Sequence, residues 1–572
     1  MIQLPPSHAM RAPRPYVSEP MDPTEVSPSG QYRAFKAAGL LLLAAAWIVL
    51  GLVGHDPWKF DDATNFGIAL DIAERGDVVV PYLAGEPFLE RPPLLPALGA
   101  IGIKALSPPL EPYNAARLGA GLLLAVMLTF AALASREFSG RAFRWLPMLV
   151  LIGTLGFWDR AHALSGELGV AVGVAIALYG FALALRRPWT GGAWLGVGIA
   201  VAFGSRGLQG PTWLAITALL LPLFGRPWRR RAYVATLVTA ALVALALSLP
   251  WIVALHARDP ALFDAWWGSE ALVNYVGFIA GAEPADPTYH LRNLPWFAWP
   301  ALPLLLWTAW MRGRGFNGGL REPGIIVPGV LSAVMLLNLL VSPEPRVISA
   351  LPLLVPCALL ATIEVDSLAR GFSGFLDWFG ILTFGLLALL VWAMWIDARV
   401  FGMSSRVAVL LKDTEIGFQP TFHLGRTLLA VFLTVLWIVL VRPARRSNRR
   451  AVLNWAVGVT LLWGLYSTIW LPYLDSRRSY RAMIESAALH LLTPDCVASR
   501  ALGEPQRALF QYFAGLRTVR EEVNPDSDCP LLLVQYGRQP TAPDIAGYQI
   551  MWDGHRRGDD SERYVLYRKG TP

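Results

Sequence analysis

Apolar runs of about twenty residues recur along this chain with arginines between them, and no other feature limits its fold so strongly. A helix of about 20 apolar residues (roughly 17–25) crosses the hydrocarbon layer of a bilayer with its backbone polar groups satisfied internally. Such runs cover 37–54, 114–133, 145–158, 166–185, 191–204, 211–225, 233–255, 296–311, 323–342, 347–363, 374–396, 427–441 and 451–472, about thirteen spans. The segment 94–106 is apolar but short and Pro-rich, and reads as juxtamembrane or re-entrant. Composition agrees: 55% of residues are hydrophobic and 16% charged, against roughly 25% charged in a soluble chain. An ordinary soluble enzyme, a disordered protein and a disulfide scaffold are thereby excluded. The expected fold is an all-α polytopic membrane protein carrying a small α/β domain at its C-terminal end.

The arginines set the expected orientation. Cytoplasmic loops are enriched in Lys and Arg. Clusters precede the first run (Arg11, Arg14, Arg33, Lys36) and follow the second (Arg136, Arg141, Arg144), fourth (Arg186, Arg187), sixth (Arg226, Arg229, Arg230, Arg231), eighth (Arg312, Arg314, Arg321) and twelfth (Arg442, Arg445, Arg446, Arg449, Arg450). The loop at 364–373 carries only Arg370. The net charge of +8 is thus a membrane pattern and not a nucleic-acid surface. Residues 1–35 are polar and Pro-rich, and read as a disordered cytoplasmic leader, not a cleavable signal. Residues 36–472 form the membrane domain, with a first outer loop over 55–113, and residues 473–572 fall outside the cytoplasm. In that tail, helices are expected at 483–492 and 505–516, and strands at Leu531–Val534 and Tyr564–Tyr567. An oxidising surrounding lets Cys496 and Cys529 pair; otherwise both are thiols.

The acidic groups stand where they are costly. The first outer loop holds Asp56, Asp61, Asp62, Asp71, Glu74, Asp77, Glu86 and Glu90. Asp61 and Asp62 open an amphipathic segment with apolar residues at Phe66, Ala69, Leu70 and Ala73; helix capping explains one carboxylate there but gives no need for two. Glu90-Arg91 stands before Pro92-Pro93, which cannot enter a helix interior. Glu167 heads the fourth run, at a depth where an ionisable group usually serves function. Arg206, in Ser205-Arg206-Gly207-Leu208-Gln209-Gly210, and Arg346, in Pro343-Glu344-Pro345-Arg346, lie on the outer side against the charge rule. They suit an anion such as a phosphate, or a local ion pair such as Glu344 with Arg346.

Taken in order, these segments resemble the bacterial GT-C integral-membrane glycosyltransferases: the aminoarabinose transferases of lipid A, related to the protein O-mannosyltransferases. That group shows an acidic pair opening a first-loop helix, Gly-Asp, Pro, Gly-x-Pro and Glu-Lys-Pro-Pro. Here the matching residues are Asp61-Asp62, Gly76-Asp77, Pro81, Gly85-Glu86-Pro87 and Glu90-Arg91-Pro92-Pro93. An outer acid heading the fourth span matches Glu167. Ser-Lys-Gly-x-x-Gly matches Ser205–Gly210, and Leu-Pro-Trp matches Leu249-Pro250-Trp251. The resemblance implies a GT-C fold in the bacterial inner membrane. It also implies transfer of a sugar from a polyprenyl-phosphate donor to a lipid or glycan acceptor on the periplasmic face, with inversion. Asp61 falls at the general base, and Glu167 beside it to orient the acceptor or steady Asp61. Asp62, Glu90, Arg91, Arg206 and Arg346 fall among the substrate-binding residues, with the arginines on the lipid phosphate. Glu90 falls where relatives touch a metal or the arginines. After the seventh span relatives carry Glu-His and a basic residue, where this chain reads Glu270-Ala271-Leu272-Val273-Asn274-Tyr275, and a tyrosine near Arg346 is replaced by Ser349. The expected sugar or acceptor therefore differs from the aminoarabinose pair. Two other readings serve the same composition: a transporter or flippase of lipid-linked saccharides, and a non-catalytic relative.

Overall fold

The computed structural model describes residues 30–59, 61–158, 160–271, 286, 288–342, 346–402, 407, 411, 421–441, 447–491, 496–539, 541–559 and 561–570. The chain divides into two units, Met1–Leu43 and Ala44–Pro572. In the first, helix begins at Gly30, inside the stretch expected to be leader; the residues from Gln31 to Lys36 include good helix formers that simply extend the apolar run. All later elements lie in the second unit.

The protein is a polytopic helical membrane protein, as its apolar runs require. Among the described residues, six helices are long and apolar enough to cross a membrane: Pro112–Ser139, Gly166–Ala184, Arg231–Arg258, Pro323–Leu340, Gly371–Phe401 and Asn448–Thr468. Shorter apolar helices at Lys36–Val49, Leu94–Leu106, Gln209–Phe224, Leu354–Ile363 and Leu424–Leu440 accompany them. Two expected spans are much reduced: over 347–363 the α-helix runs only from Leu354 to Ile363, after a 3-10 turn at Val347–Ala350, and 145–158 is shorter still. Over 145–158 the helix runs only from Leu146 to Gly153, then turns into 3-10 geometry. The chain leaves the helix because Leu155 N–H bonds to the carbonyl of Trp299 at 3.0 Å, with Gly156 pressed against Phe297 so closely that a Cβ would lie 2.5 Å from that residue's carbonyl oxygen.

Helix α1, Gly30–Val49, crosses the boundary between the units; the helices that position the charged loop are α2 Asp61–Arg75, α3 Leu94–Leu106, α4 Pro112–Ser139, α5 Leu146–Gly153, α6 Gly166–Ala184 and α7 Pro188–Arg206. Small residues let α6 and α7 touch along their backbones. A Cβ on Gly173 would stand 2.6 Å from the Gly198 carbonyl, and one on Gly198 2.6 Å from the Gly173 carbonyl. In lipid, close backbone approach of this kind replaces the missing hydrophobic drive between helices. It fixes the head of α6, which carries Glu167, beside the end of α7, which carries Arg206.

The loop over 55–113 folds into α2, a two-stranded ribbon (β1 Tyr82–Leu83, β2 Glu86–Pro87) and α3. Gly76 ends α2 with φ +76°, and Asp77 accepts from the Val79 N–H at 3.0 Å, so the Gly-Asp pair serves as a helix stop and a turn.

The C-terminal residues fold as expected into an α/β domain. Helices cover Arg481–Ala488 and Glu504–Ala514. Five strands, β3 Val497–Arg500, β4 Val519–Arg520, β5 Leu531–Tyr536, β6 Tyr548–Gly554 and β7 Arg563–Lys569, order as β4-β3-β5-β7-β6. Strands β5 and β7 are the two expected from sequence; the other three are additional. This domain is packed onto the first outer loop: Ala508 shares a buried cluster with Ile68, Ile72, Leu83 and Ala100, and Ala63 enters the core formed by Tyr480, Ile484, Leu509 and Phe510.

Cys496 and Cys529 are bonded across a sequence separation of 33, joining the starts of the segments that form β3 and β5. A thiol-reactive maleimide polymer applied to intact cells is expected to modify these cysteines only after a reductant is supplied. Modification of unreduced protein would contradict the bond.

Candidate active site at the outer end of the helices

Asp61 and Asp62 are adjacent but perform different work, because successive residues at a helix start point in different directions. Asp62 turns inward to Arg117 on α4. Arg117 Nη2 donates to Asp62 Oδ2 at 3.0 Å, and its Nε lies 3.3 Å from both carboxylate oxygens. The remaining guanidinium hydrogens reach the carbonyls of Leu52, His55 and Asp56 at 3.3, 3.2 and 3.1 Å. Asp62 also accepts from the Leu164 N–H at 3.2 Å. Arg117 is 1% exposed, so a single buried ion pair ties α4, the end of the first helix, α2 and the segment before α6 together. The sequence places Asp62 among the substrate-binding residues; its carboxylate does line a large cavity, but its lone pairs are taken up by this anchor.

Asp61 faces the other way. Its Oδ1 accepts from Arg91 Nη1 at 2.9 Å. Burial favours the neutral acid, but Arg91, then Arg206 and Arg346, overcome this and hold the carboxyl below the usual range. Asp61 is therefore ionised at neutral pH. Beneath it, Arg206 is ion-paired with Glu167. Ser165 caps α6 by accepting from the Leu168 N–H, which places Glu167 in the first turn, and its second oxygen, Oε2, is buried without a hydrogen-bond partner. Arg91 and Arg206 meet at Gly166: its Cβ position lies 3.6 Å from Arg91 Nη1 and 3.7 Å from Arg206 Cγ. Asp61, Arg91, Glu167 and Arg206 thus form one alternating cluster of charge.

Beside this cluster opens a cavity of about 760 Å³. Asp61, Asp62 and Arg346 line it, while Arg91, Arg206 and Glu167 are not part of its lining. Several lining residues carry no signal in the sequence. Trp58 is stacked on His55, ring centroids 4.0 Å apart, and is covered by the Arg478 guanidinium at 4.7 Å. His162 sets its ring nitrogens 2.9 and 2.8 Å from the carbonyls of Trp158 and Trp47. Arg160 lies over Phe297 at 5.6 Å. The C-terminal domain adds Arg556, Asp559 and Ser561, with Arg556 paired to Asp559 and Lys59 of the first loop paired to Glu562. Contacts between residues 400 or more positions apart have no local pattern from which they are readable.

Glu90 points away from the cavity and toward the C-terminal domain, where it meets Glu504. Burial first, then Glu90, pushes the Glu504 carboxyl up to about 8. Nearby Arg507 binds Glu86 at 2.9 Å. Among the described residues no three His, Cys, Asp or Glu side chains gather as a metal-binding set. Glu90 meets one other carboxyl, that of Glu504. Glu344, Leu272–Tyr275 and the side chain of Glu270 lie outside the described residues.

The fold is that of the GT-C integral-membrane proteins. In sequence the chain is similar to the aminoarabinose transferases, as its first-loop motif implied. It is 27% identical over 292 residues to the undecaprenyl phosphate-alpha-4-amino-4-deoxy-L-arabinose arabinosyl transferase 2 of Pseudomonas fluorescens, covering 48% of this chain and 47% of that one. It is 25% identical over 510 residues to the transferase of that activity from Pseudomonas savastanoi pv. phaseolicola, covering 84% and 88%. The match therefore spans about half the length of the former relative and most of the latter. The crystal structure of ArnT from Cupriavidus metallidurans bound to undecaprenyl phosphate superposes with a TM-score of 0.65 at 14% identity, over 94% of this chain and 98% of that chain. No family model matches.

Replacing Arg117 with Leu leaves Asp62 buried and unpaired, which costs about 3–5 kcal/mol; thermal unfolding in detergent is expected at a clearly lower temperature than for an Asp61→Asn variant. The Glu504 carboxyl binds its proton more tightly folded than unfolded, so it opposes folding as pH rises from the ordinary carboxyl range to about 8. Stability of the docked C-terminal domain, followed by hydrogen exchange, is expected to fall across that window in the native protein and to show a weaker slope in Glu504→Gln.

Proposed function

We propose that the chain transfers a sugar from a polyprenyl-phosphate donor to a lipid or glycan acceptor at the outer face of a bacterial inner membrane. The observation that carries this reading is the ionised Asp61 at the edge of a large cavity, gripped by Arg91 and under the influence of Arg206 and Arg346. The names of the sequence relatives, arabinosyl transferases that use undecaprenyl phosphate, support the class of reaction. The arginine clusters and the bonded cysteines support a cytoplasmic N-terminus and a periplasmic C-terminal domain.

In this mechanism the donor's phosphate lies on the arginines, with its polyprenyl chain leaving toward lipid. The acceptor hydroxyl enters from the cavity and Asp61 takes its proton as general base. The acceptor oxygen attacks the anomeric carbon from the face opposite the phosphate, so configuration inverts. The electron pair of the breaking carbon–oxygen bond passes to the phosphate, whose growing charge the arginines stabilise. Asp62 serves this site as the anchor that sets the direction of Asp61. The departures after the seventh span favour a sugar or acceptor other than aminoarabinose and lipid A.

Asp61→Asn keeps the shape of the side chain and removes the base. In membranes supplied with polyprenyl-phosphate sugars, transfer is expected to fall about 10²–10⁴-fold with unchanged expression. Undiminished transfer would contradict the assignment. The native product is to be identified by mass spectrometry of envelope glycans and lipid A from a deletion strain.

A further inference from the structure

A base that is already gripped by an arginine is a poor base, since the ion pair stabilises the form that has no proton. Asp61 is in that state, with Arg91 Nη1 at 2.9 Å. The proposed transfer requires the grip to loosen once the donor is in place. The titratable groups facing Arg91 are Asp61, Glu167, Glu90 and Glu504; the charged groups facing Asp61 are Arg91, Arg206 and Arg346. Glu90 is exposed and engaged with Glu504. Asp62 is held by Arg117. Glu167 differs from both. It is 1% exposed, one oxygen holds Arg206, and the other is buried with no hydrogen-bond partner. A buried carboxylate oxygen left without a donor is uncommon and calls for an explanation. The residue before it is Gly166, whose bare Cα leaves Arg91 Nη1 and Arg206 Cγ within 3.6 and 3.7 Å of where a side chain would begin.

We infer that Glu167 is a positioning residue whose unpartnered oxygen receives Arg91 when the donor phosphate arrives, releasing Asp61 to act as base. This rests on the transfer reading. At rest the carboxylates neutralise the arginines in place of a phosphate. When the phosphate binds, Arg206 turns to it, Arg91 spans the phosphate and Glu167, and Asp61 loses its partner. The acceptor proton then passes to Asp61 as the bond from the anomeric carbon to the phosphate oxygen breaks and the bond to the acceptor oxygen forms. The arrangement keeps Asp61 inactive toward water in the empty site.

The test uses the full-length protein in lipid nanodiscs with undecaprenyl phosphate as probe. A hydrophobic carbodiimide, which reacts with protonated carboxyls, labels Asp61, and mass spectrometry reads the extent at fixed pH with and without probe. Binding of the probe to each variant is measured separately. In the native protein, labelling of Asp61 is expected to rise on binding, about tenfold for each unit by which its pKa climbs. In Glu167→Gln the rise is absent although the probe binds, and in Glu167→Asp, which keeps the charge but draws the oxygen back, it is intermediate. Bound probe with unchanged labelling in the native protein overturns the inference while leaving the transfer reading intact, as does an equal rise in Glu167→Gln. If the glutamine variant does not fold, an undiminished rise in Glu167→Asp overturns it instead. Failure of the native protein to bind the probe removes the donor reading, and this inference with it.

Discussion

The buried pair of Arg117 and Asp62 is the interaction on which the rest of the outer end depends. A guanidinium taken out of water is costly unless each of its hydrogens finds an acceptor. Here they reach one carboxylate and three backbone carbonyls, all from segments that converge on the first turn of α2. Since Asp61 precedes Asp62 directly, fixing one fixes the other. The geometry of the proposed base is thus inherited from a neighbour that does no chemistry.

The C-terminal domain completes this arrangement. Asp56 of the first loop is held by Arg481 at 2.5 Å and by the Ser479 hydroxyl at 2.6 Å, and Trp58 donates to Asp475 at 2.9 Å. Glu86, in the turn that carries the loop toward Arg91, is held by Arg507 and Arg520. The loop bearing the acids is clamped between the helix ends on one side and this domain on the other, and the domain in turn contributes Arg556, Asp559 and Ser561 to the cavity.

How much of this is legible in the sequence depends on the length scale of each signal. Apolar runs near twenty residues reflect a bilayer directly, so most helices lie where the sequence puts them. The segment 145–158 fails because Thr154 to Phe157 leave the helix for contacts with Trp299 and Phe297, which are far away in sequence. Strands β5 and β7 are readable as apolar runs, whereas β3 and β4 are too short, and β6 too mixed, to stand out. The cluster of Asp61, Glu167, Arg91 and Arg206 is legible as charges in costly places. The division of labour between Asp61 and Asp62 is not, because it is decided by Arg117, which reads in sequence as the ordinary edge of a span. Glu90 belongs by its motif with the substrate-binding residues, and the fold turns it toward Glu504.

The central claim is that the arginines beneath Asp61 hold the anionic head of a lipid-linked donor. An electron cryomicroscopy map of the protein in nanodiscs with undecaprenyl phosphate tests it most directly. The account predicts phosphate density within hydrogen-bond distance of Arg91 or Arg206, with Asp61 on its cavity side. Density for the phosphate beside Lys59 and Arg556, with the Asp61–Arg91 and Glu167–Arg206 pairs untouched, would contradict it.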